Sequence, residues 1–264
     1  MRLSLPGFTM AYDDRGRGLP LLFIHGYPLN RTLWEPQIDD LSYTTRVLTV
    51  DLRGHGESDP MPGPYPMDML ADDCISLLDA LGITTPIVIC GLSMGGYVTF
   101  AFYRRYAARV AGLILTATRA GADSSESKAN RDKSAVLAQE KGADVIAEAM
   151  LPRLLSPKTL TARLDLVDRV RKIMRGISVE GIVGDLTGMR DRLDSTPLLT
   201  QINIPTLIIY GADDQIIPLS EVEFIHQAII NSELKIIPDA GHLPNLEQPE
   251  LFNQVVKEFT KFIK

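Results

Sequence analysis

The chain has 264 residues, 45% of them hydrophobic and 23% charged, and carries a formal net charge of −6. These are the proportions of an ordinary globular protein long enough to bury one large core, which sets aside disordered and fibrous classes. The acidic balance argues against a nucleic-acid backbone as partner, since phosphate binding draws on surplus Lys and Arg, so small molecules are the expected ligands.

The opening stretch, MRLSLPGFTMAYDDRG, alternates apolar and polar residues around a Pro-Gly pair and reads as an antiparallel hairpin at a sheet edge. It lacks the continuous apolar stretch of a signal peptide, and no run of about 18 apolar residues follows, so a cytoplasmic protein without membrane spans is expected. Six short apolar runs then recur along the chain: LPLLFIHG, RVLTVDLRG, PIVICGLS, VAGLILTAT, PTLIIYGAD and LKIIPDAG. Each ends in a glycine or an acid and reads as a buried strand. Between them MDMLADDCISLLDALG and MGGYVTFAFYRRYA, and at the end PELFNQVVKEFTKFIK, repeat apolar residues at helical spacing. Alternation of strand and helix predicts an α/β fold, a mostly parallel central sheet with helices on both faces.

Strand signals stop between residues 119 and 199, where ESKANRDKSAVLAQEKG and KTLTARLDLVDRVRKIMRG read as charged helices. We expect a helical cap at 119–199, inserted in a core made of 1–118 and 200–264, over the strand ends where open α/β sheets bind ligands. Cys74 and Cys90, the two cysteines, sit in apolar settings and read as buried structural thiols. No metal cluster and no cofactor signature is evident, and oligomeric state stays open.

Ser93 lies in Gly91-Leu92-Ser93-Met94-Gly95, between a predicted strand and a predicted helix. In that context Gly-x-Ser-x-Gly is a sharp turn that raises the hydroxyl above the sheet, and the serine reads as a nucleophile. A serine hydroxyl needs an imidazole to take its proton. Of the four histidines, His25 and His55 precede Ser93 and His226 lies beside an apolar helical stripe, whereas His242 stands in a loop after the last strand. The order Ser, acid, His favours His242 as the base. The orienting carboxylate is expected just past the strand ending Tyr210-Gly211-Ala212-Asp213-Asp214. Asp214 is preferred because Gly-x-x-Asp sets it beyond the turn; Asp213 and the more distant Asp123 remain alternatives. Oxyanion donors are expected from the backbone N–H of Met94, after the nucleophile, and of Tyr27, in the early loop His25-Gly26-Tyr27-Pro28. Tyr27, Pro28 and Trp34 are candidates for the substrate-binding wall, Trp34 having core packing as its alternative. Arg119 and Arg131 either face an acidic substrate or pair with Asp123 and Glu126.

Taken together, HGYPL, DLRGHGESD, GLSMGG, YGADDQIIP and AGHLPNLEQP resemble the α/β-hydrolase superfamily in content, order and spacing. Within it the chain looks most like carboxylesterases, enol-lactone hydrolases and cofactor-free haloperoxidases (perhydrolases). The resemblance implies an α/β-hydrolase fold, Ser93, Asp214 and His242 as triad, Tyr27 and Met94 as oxyanion donors, and a lid near 119–199. It makes the DLRGHGES segment a structural loop, with Arg53 and His55 as its architecture. Serine at position 93 disfavours the alkyl-enzyme chemistry of relatives that carry aspartate there, and Tyr27-Pro28 matches the haloperoxidase pattern. The expected activity is cofactor-independent hydrolysis of small to medium carboxylic esters or lactones through an acyl-enzyme. Perhydrolysis, carbon–carbon bond hydrolysis and a non-turning-over ligand receptor are the alternatives.

Overall fold

The computed structural model describes residues 1–263. Strands β1 (Arg2–Leu5) and β2 (Phe8–Arg15) form the expected hairpin, followed by β3 (Pro20–Ile24), helix α1 (Glu35–Leu41), β4 (Arg46–Val50) and α2 (Met67–Ala80). Strand β5 (Ile87–Leu92), α3 (Met94–Tyr106) and β6 (Val110–Thr116) come next. A helical insertion then runs through α4 (Ser125–Lys141), α5 (Ala143–Leu154), α6 (Pro157–Ala162), α7 (Leu164–Arg175), α8 (Val179–Arg190) and α9 (Thr196–Leu199). The chain returns as β7 (Thr206–Gly211), α10 (Leu219–Ala228), β8 (Ser232–Ile237), α11 (Pro244–Glu247) and α12 (Pro249–Thr260).

The eight strands form one sheet in the order β1-β2-β4-β3-β5-β6-β7-β8, parallel from β4 to β8 and antiparallel at the β1-β2-β4 edge. Side chains alternate across a strand, so each strand feeds two cores. Leu22, Ile24, Ile87 and Ile89 pack on one face with residues of α2 and α3. Leu21, Phe23, Val88 and Cys90 pack on the other with α1 and α12. Strands β3, β5 and β7 are buried along their whole length. That double coverage is why they read as unbroken apolar runs rather than alternating ones.

Register puts the strand ends level: Ile24 pairs with Val50 and Gly91, Leu92 with Thr116, and Thr116 with Ile209. Loops that follow these strands therefore converge at one edge, under the insertion. The stretch KTLTARLDLVDRVRKIMRG, expected as one helix, breaks into α6 and α7 where Arg163 leaves helical geometry (φ −128°, ψ 66°). The insertion has no separate core. Ile177, Ile182 and Leu186 join the cluster on one sheet face, and Leu154, Val167 and Val170 join the other. Among the described residues no helix is long and apolar enough to cross a membrane.

Candidate active site

Local geometry at the end of β5 follows from its glycines. A Cβ on Gly91 would meet the carbonyl oxygen of Gly95 at 2.3 Å, and one on Gly95 would meet that of Ile24 at 2.3 Å. Only hydrogen fits at either place, so α3 can start directly above β5. Ser93 takes the strain of the reversal at φ 54°, ψ −113°. A non-glycine residue in such a conformation costs about 1–3 kcal/mol and persists only where its surroundings hold it. The Ser93 N–H donates to Thr116 O at 2.9 Å, and its carbonyl accepts from Gly96 N–H at 2.9 Å and Thr118 Oγ1 at 2.8 Å.

The side chain of Ser93 opens into a cavity of about 370 Å³ shared with His242, Tyr27 and Tyr97. His242 lies in the loop after β8, its N–H bonded to Leu154 O of the insertion at 3.0 Å. Its Nδ1 is 2.8 Å from Asp214 Oδ2, with both side chains buried. The other Asp214 oxygen accepts from the N–H groups of Ile216 at 2.7 Å and Ile217 at 3.1 Å. The carboxylate is thus held at one oxygen and offered to imidazole at the other. Asp213 is exposed and donates its N–H to Ala240 O, while Asp123 faces arginines. Of the three acids considered, Asp214 is the one that meets His242.

Met94 opens α3, where a helix leaves its first N–H groups without partners and the dipole is positive. Neither Met94 N–H nor Tyr27 N–H donates to a backbone acceptor among the described residues. A Cβ on Gly26 would meet Ser93 Cβ at 3.1 Å, so the loop bearing Tyr27 runs against the serine turn. The Tyr27 hydroxyl is buried without a hydrogen-bond partner among the described residues, and burial, with Asp185 nearby, pushes its pKa well up.

Two wall candidates are placed elsewhere. Trp34 is fully buried in the core, its ring 4.7 Å from that of Phe23 and 6.1 Å from that of Phe252, and does not reach the cavity. A large ring beneath the sheet gains more from those partners than from a wet wall. Pro28 is buried, joined to Tyr27 by a cis peptide bond, and also off the cavity surface.

The remaining histidines bond to groups within the fold. His25 Nε2 accepts from Leu52 N–H at 3.0 Å and its Nδ1 lies 3.0 Å from Gly26 O. His226 contacts Ser232. His55 lies 2.9 Å from Asp185 of α8, both fully buried, tying the Asp51–Ser58 loop to the insertion. Burial works against the charge on His55, but the facing Asp185 carboxylate prevails and raises its pKa. Asp51 accepts from the N–H groups of Arg31 at 2.7 Å and Glu57 at 2.9 Å. Cys74 and Cys90 are free and buried.

Several contributing residues carry no motif. Buried Glu247 accepts from Gly241 N–H at 2.7 Å and Ser156 N–H at 2.8 Å, holding the His242 loop to the insertion. Asp185 and Arg153 are likewise unmarked, and Tyr97, four residues after Ser93 on α3, was visible only as an apolar helical position.

A sequence model of the alpha/beta hydrolase fold matches residues 20–249. The chain is 30% identical to 3-oxoadipate enol-lactonase 2 of Acinetobacter baylyi over 241 residues, covering 91% of this chain and 88% of that protein. Among solved structures it is similar to a thermophilic esterase from Thermogutta terrifontis with malate bound, at 42% identity and a TM-score of 0.97, covering 100% of this chain and 99% of the other. It is similar too to the enol-lactonase of Burkholderia xenovorans LB400, at 28% identity and a TM-score of 0.92, covering 99% and 100%. The sheet order, the serine turn at the end of β5 and these matches together make the chain a member of the alpha/beta hydrolase fold family.

Proposed function

We propose that the protein hydrolyses carboxylic esters or lactones through an acyl-enzyme on Ser93. The observation that carries this reading is that Ser93 and His242 open on one cavity while Asp214 is bonded to the far side of the imidazole. In this reading His242 Nε2 takes the proton of Ser93 Oγ as that oxygen attacks the carbonyl carbon. Asp214 fixes the tautomer with hydrogen on Nδ1 and favours the imidazolium that forms. The N–H groups of Tyr27 and Met94 receive the oxyanion, Met94 with the added field of the α3 N-terminus. His242 then gives its proton to the leaving oxygen, and water repeats the cycle on the acyl-enzyme. A lactone reacts the same way, its leaving alcohol staying attached to the acyl group.

The residues 119–199 act in this proposal as a cap: Leu137, Ile146, Met150 and Leu186 of the insertion supply apolar wall for the substrate chain. Relatives named as esterase and enol-lactonase support the ester and lactone classes. The test is nitrophenol release from 4-nitrophenyl acetate, butyrate and octanoate by the wild type and by Ser93→Ala. Turnover that falls by about six orders of magnitude in the variant, or to the background rate, is expected. A folded Ser93→Ala protein that retains wild-type turnover overturns the assignment.

A further inference from the structure

In a protein with a net charge of −6, the charged side chains on the wall of the Ser93 cavity are Arg119, Arg131 and Arg153, with no Asp or Glu among the described lining residues. The nearest counter-charge is one carboxylate, buried Asp123, and it is oversubscribed. Arg119 Nη2 reaches its Oδ1 at 2.6 Å, Arg192 Nη1 reaches the same oxygen at 2.6 Å, and Arg131 Nε bonds to Oδ2. Burial alone would raise the Asp123 carboxyl, but Arg131 and Arg192 outweigh it and hold its pKa below the ordinary value, so it is an anion. Asp185 and Glu221 act on Arg131 and Arg119 only from a distance, so among the described residues three guanidiniums share one directly bonded carboxylate.

Not every donor in this cluster is spent. Among the described residues Arg131 Nη1 has only the thioether sulfur of Met189, at 3.4 Å, and sulfur is a weak acceptor. Arg119 Nε is buried without a partner among the described residues, beside Tyr97, so Arg119 lends the cavity its charge more than an open donor. Arg153 Nη2 bonds, among the described residues, only to a carbonyl, Gln215 O, at 3.4 Å. Arg192, by contrast, is spent on structure: it bonds to Met189 O and Gly121 O and lies over the Tyr97 ring at 4.2 Å. It locks Asp123 in place while Arg119 and Arg131 face the cavity. Guanidinium groups pre-positioned in this way fit a carboxylate, which they bind through charge-assisted and often paired hydrogen bonds.

Building on the ester and lactone reading above, we propose that Arg131 and Arg119 form an anion subsite, and that the preferred substrate carries a free carboxylate in addition to the scissile ester or lactone. The two arginines select the substrate and take no part in bond making. The esterification state of that second acid group thus decides turnover, and neutral esters of equal length are the disfavoured class.

The experiment compares three esters: 4-nitrophenyl hexanoate, mono-4-nitrophenyl adipate with the charge on the acyl side, and 4-carboxyphenyl hexanoate with it on the leaving side. kcat/KM is measured for the wild type, Arg131→Met, Arg131→Lys and Arg119→Met. The wild type is expected to prefer one anionic ester over the neutral one, and Arg131→Met to reduce that preference about 10- to 100-fold, the worth of a hydrogen bond to a charged group. Arg131→Lys restores part of it, with the loss falling mainly on KM. A Ser93→Ala protein should bind adipate by calorimetry, and Arg131→Met in that background should weaken it. No wild-type preference for either anionic ester overturns the proposal, as does a Met variant in which all three esters fall by the same factor. Failure of the hydrolase reading itself looks different: none of the esters is then turned over in a Ser93-dependent way.

Discussion

Both nitrogens of His25 are committed, and this keeps its imidazole neutral. Nε2 accepts from Leu52 N–H, so adding a proton there would set two donors against each other. Burial, with His55 beside it, holds its pKa well below 6.5. A depressed histidine pKa means the unfolded chain takes up a proton near pH 6.5 that the folded chain refuses. The stabilising contribution is therefore complete above that pH and is lost as pH falls below it, by at most about 1.4 kcal/mol per pH unit. In His25→Gln, whose amide oxygen can still accept from Leu52, the stability gap to wild type should shrink between pH 7 and pH 5 in urea denaturation. A gap that stays constant contradicts a neutral His25. At the proposed triad, Asp214→Asn should lower kcat by about three to four orders of magnitude, as expected when a histidine loses its orienting carboxylate. Asp213→Asn, exposed and without contact to His242, should stay within about twofold; a crippled Asp213→Asn beside an active Asp214→Asn reverses the two roles. That His242 meets Asp214 and shares a cavity with Ser93 was legible in the sequence, because each of the three stands in a loop directly after a strand. Of the two readings left open for Trp34, the core one holds and the wall one does not; the sequence could not choose between them because the ring's place depends on Phe252, from the far end of the chain, as well as on nearby Phe23. Glu247, Asp185 and Arg153 were invisible for the same reason: their meaning lies in contacts across the fold.

Helix α8 owes its position to a bare face. A Cβ on Gly181 would come within 2.5 Å of Gly54 O, one on Gly184 within 2.7 Å of the Tyr65 ring, and one on Gly188 within 1.8 Å of Tyr65 O. Along this face the Tyr65 N–H donates to Gly184 O and Ser178 N–H to Gly54 O. The helix thus lies directly on the backbone of the loop after β4, which brings buried Asp185 to His55. Alanine raises intrinsic helix stability over glycine by about 1 kcal/mol, yet here backbone blocks the added methyl. Gly188→Ala should lower stability by about 1–3 kcal/mol, the usual cost of overpacking, with a matching fall in the denaturant midpoint. A rise of the size that propensity alone gives would show that α8 does not sit this close. From the sequence, VEGIVGDLTGMR offers glycines that weaken a helix, and nothing local says that they face a loop rather than solvent. The strands were easier to read, since burial on both sheet faces leaves a continuous apolar run. The break between α6 and α7 was missed because helical periodicity persists across Arg163 while the backbone turns.

At the scale of the whole molecule, a sheet with level strand ends gathers the serine turn, the acid loop and the histidine loop at one edge, and the insertion closes over them. Because the insertion shares both cores instead of having its own, it should not unfold alone. Trp34, the one tryptophan, reports the core shared by α12 and the insertion, whereas circular dichroism at helical wavelengths draws about half its signal from the helices of 125–199. The two thermal curves should coincide; a helical transition that precedes the fluorescence change would reveal a separately melting insertion. The proposed chemistry turns on one oxygen, Ser93 Oγ. The cavity wall holds three serines, Ser93, Ser127 and Ser134, and only Ser93 has the imidazole of His242 proposed as its base. The most direct measurement is reaction with a fluorophosphonate ester, followed by intact mass and peptide mapping. A single adduct is expected, on Ser93, formed in step with loss of esterase activity and absent from His242→Ala. An adduct on Ser127 or Ser134, or full esterase activity in protein fully modified at Ser93, would contradict it.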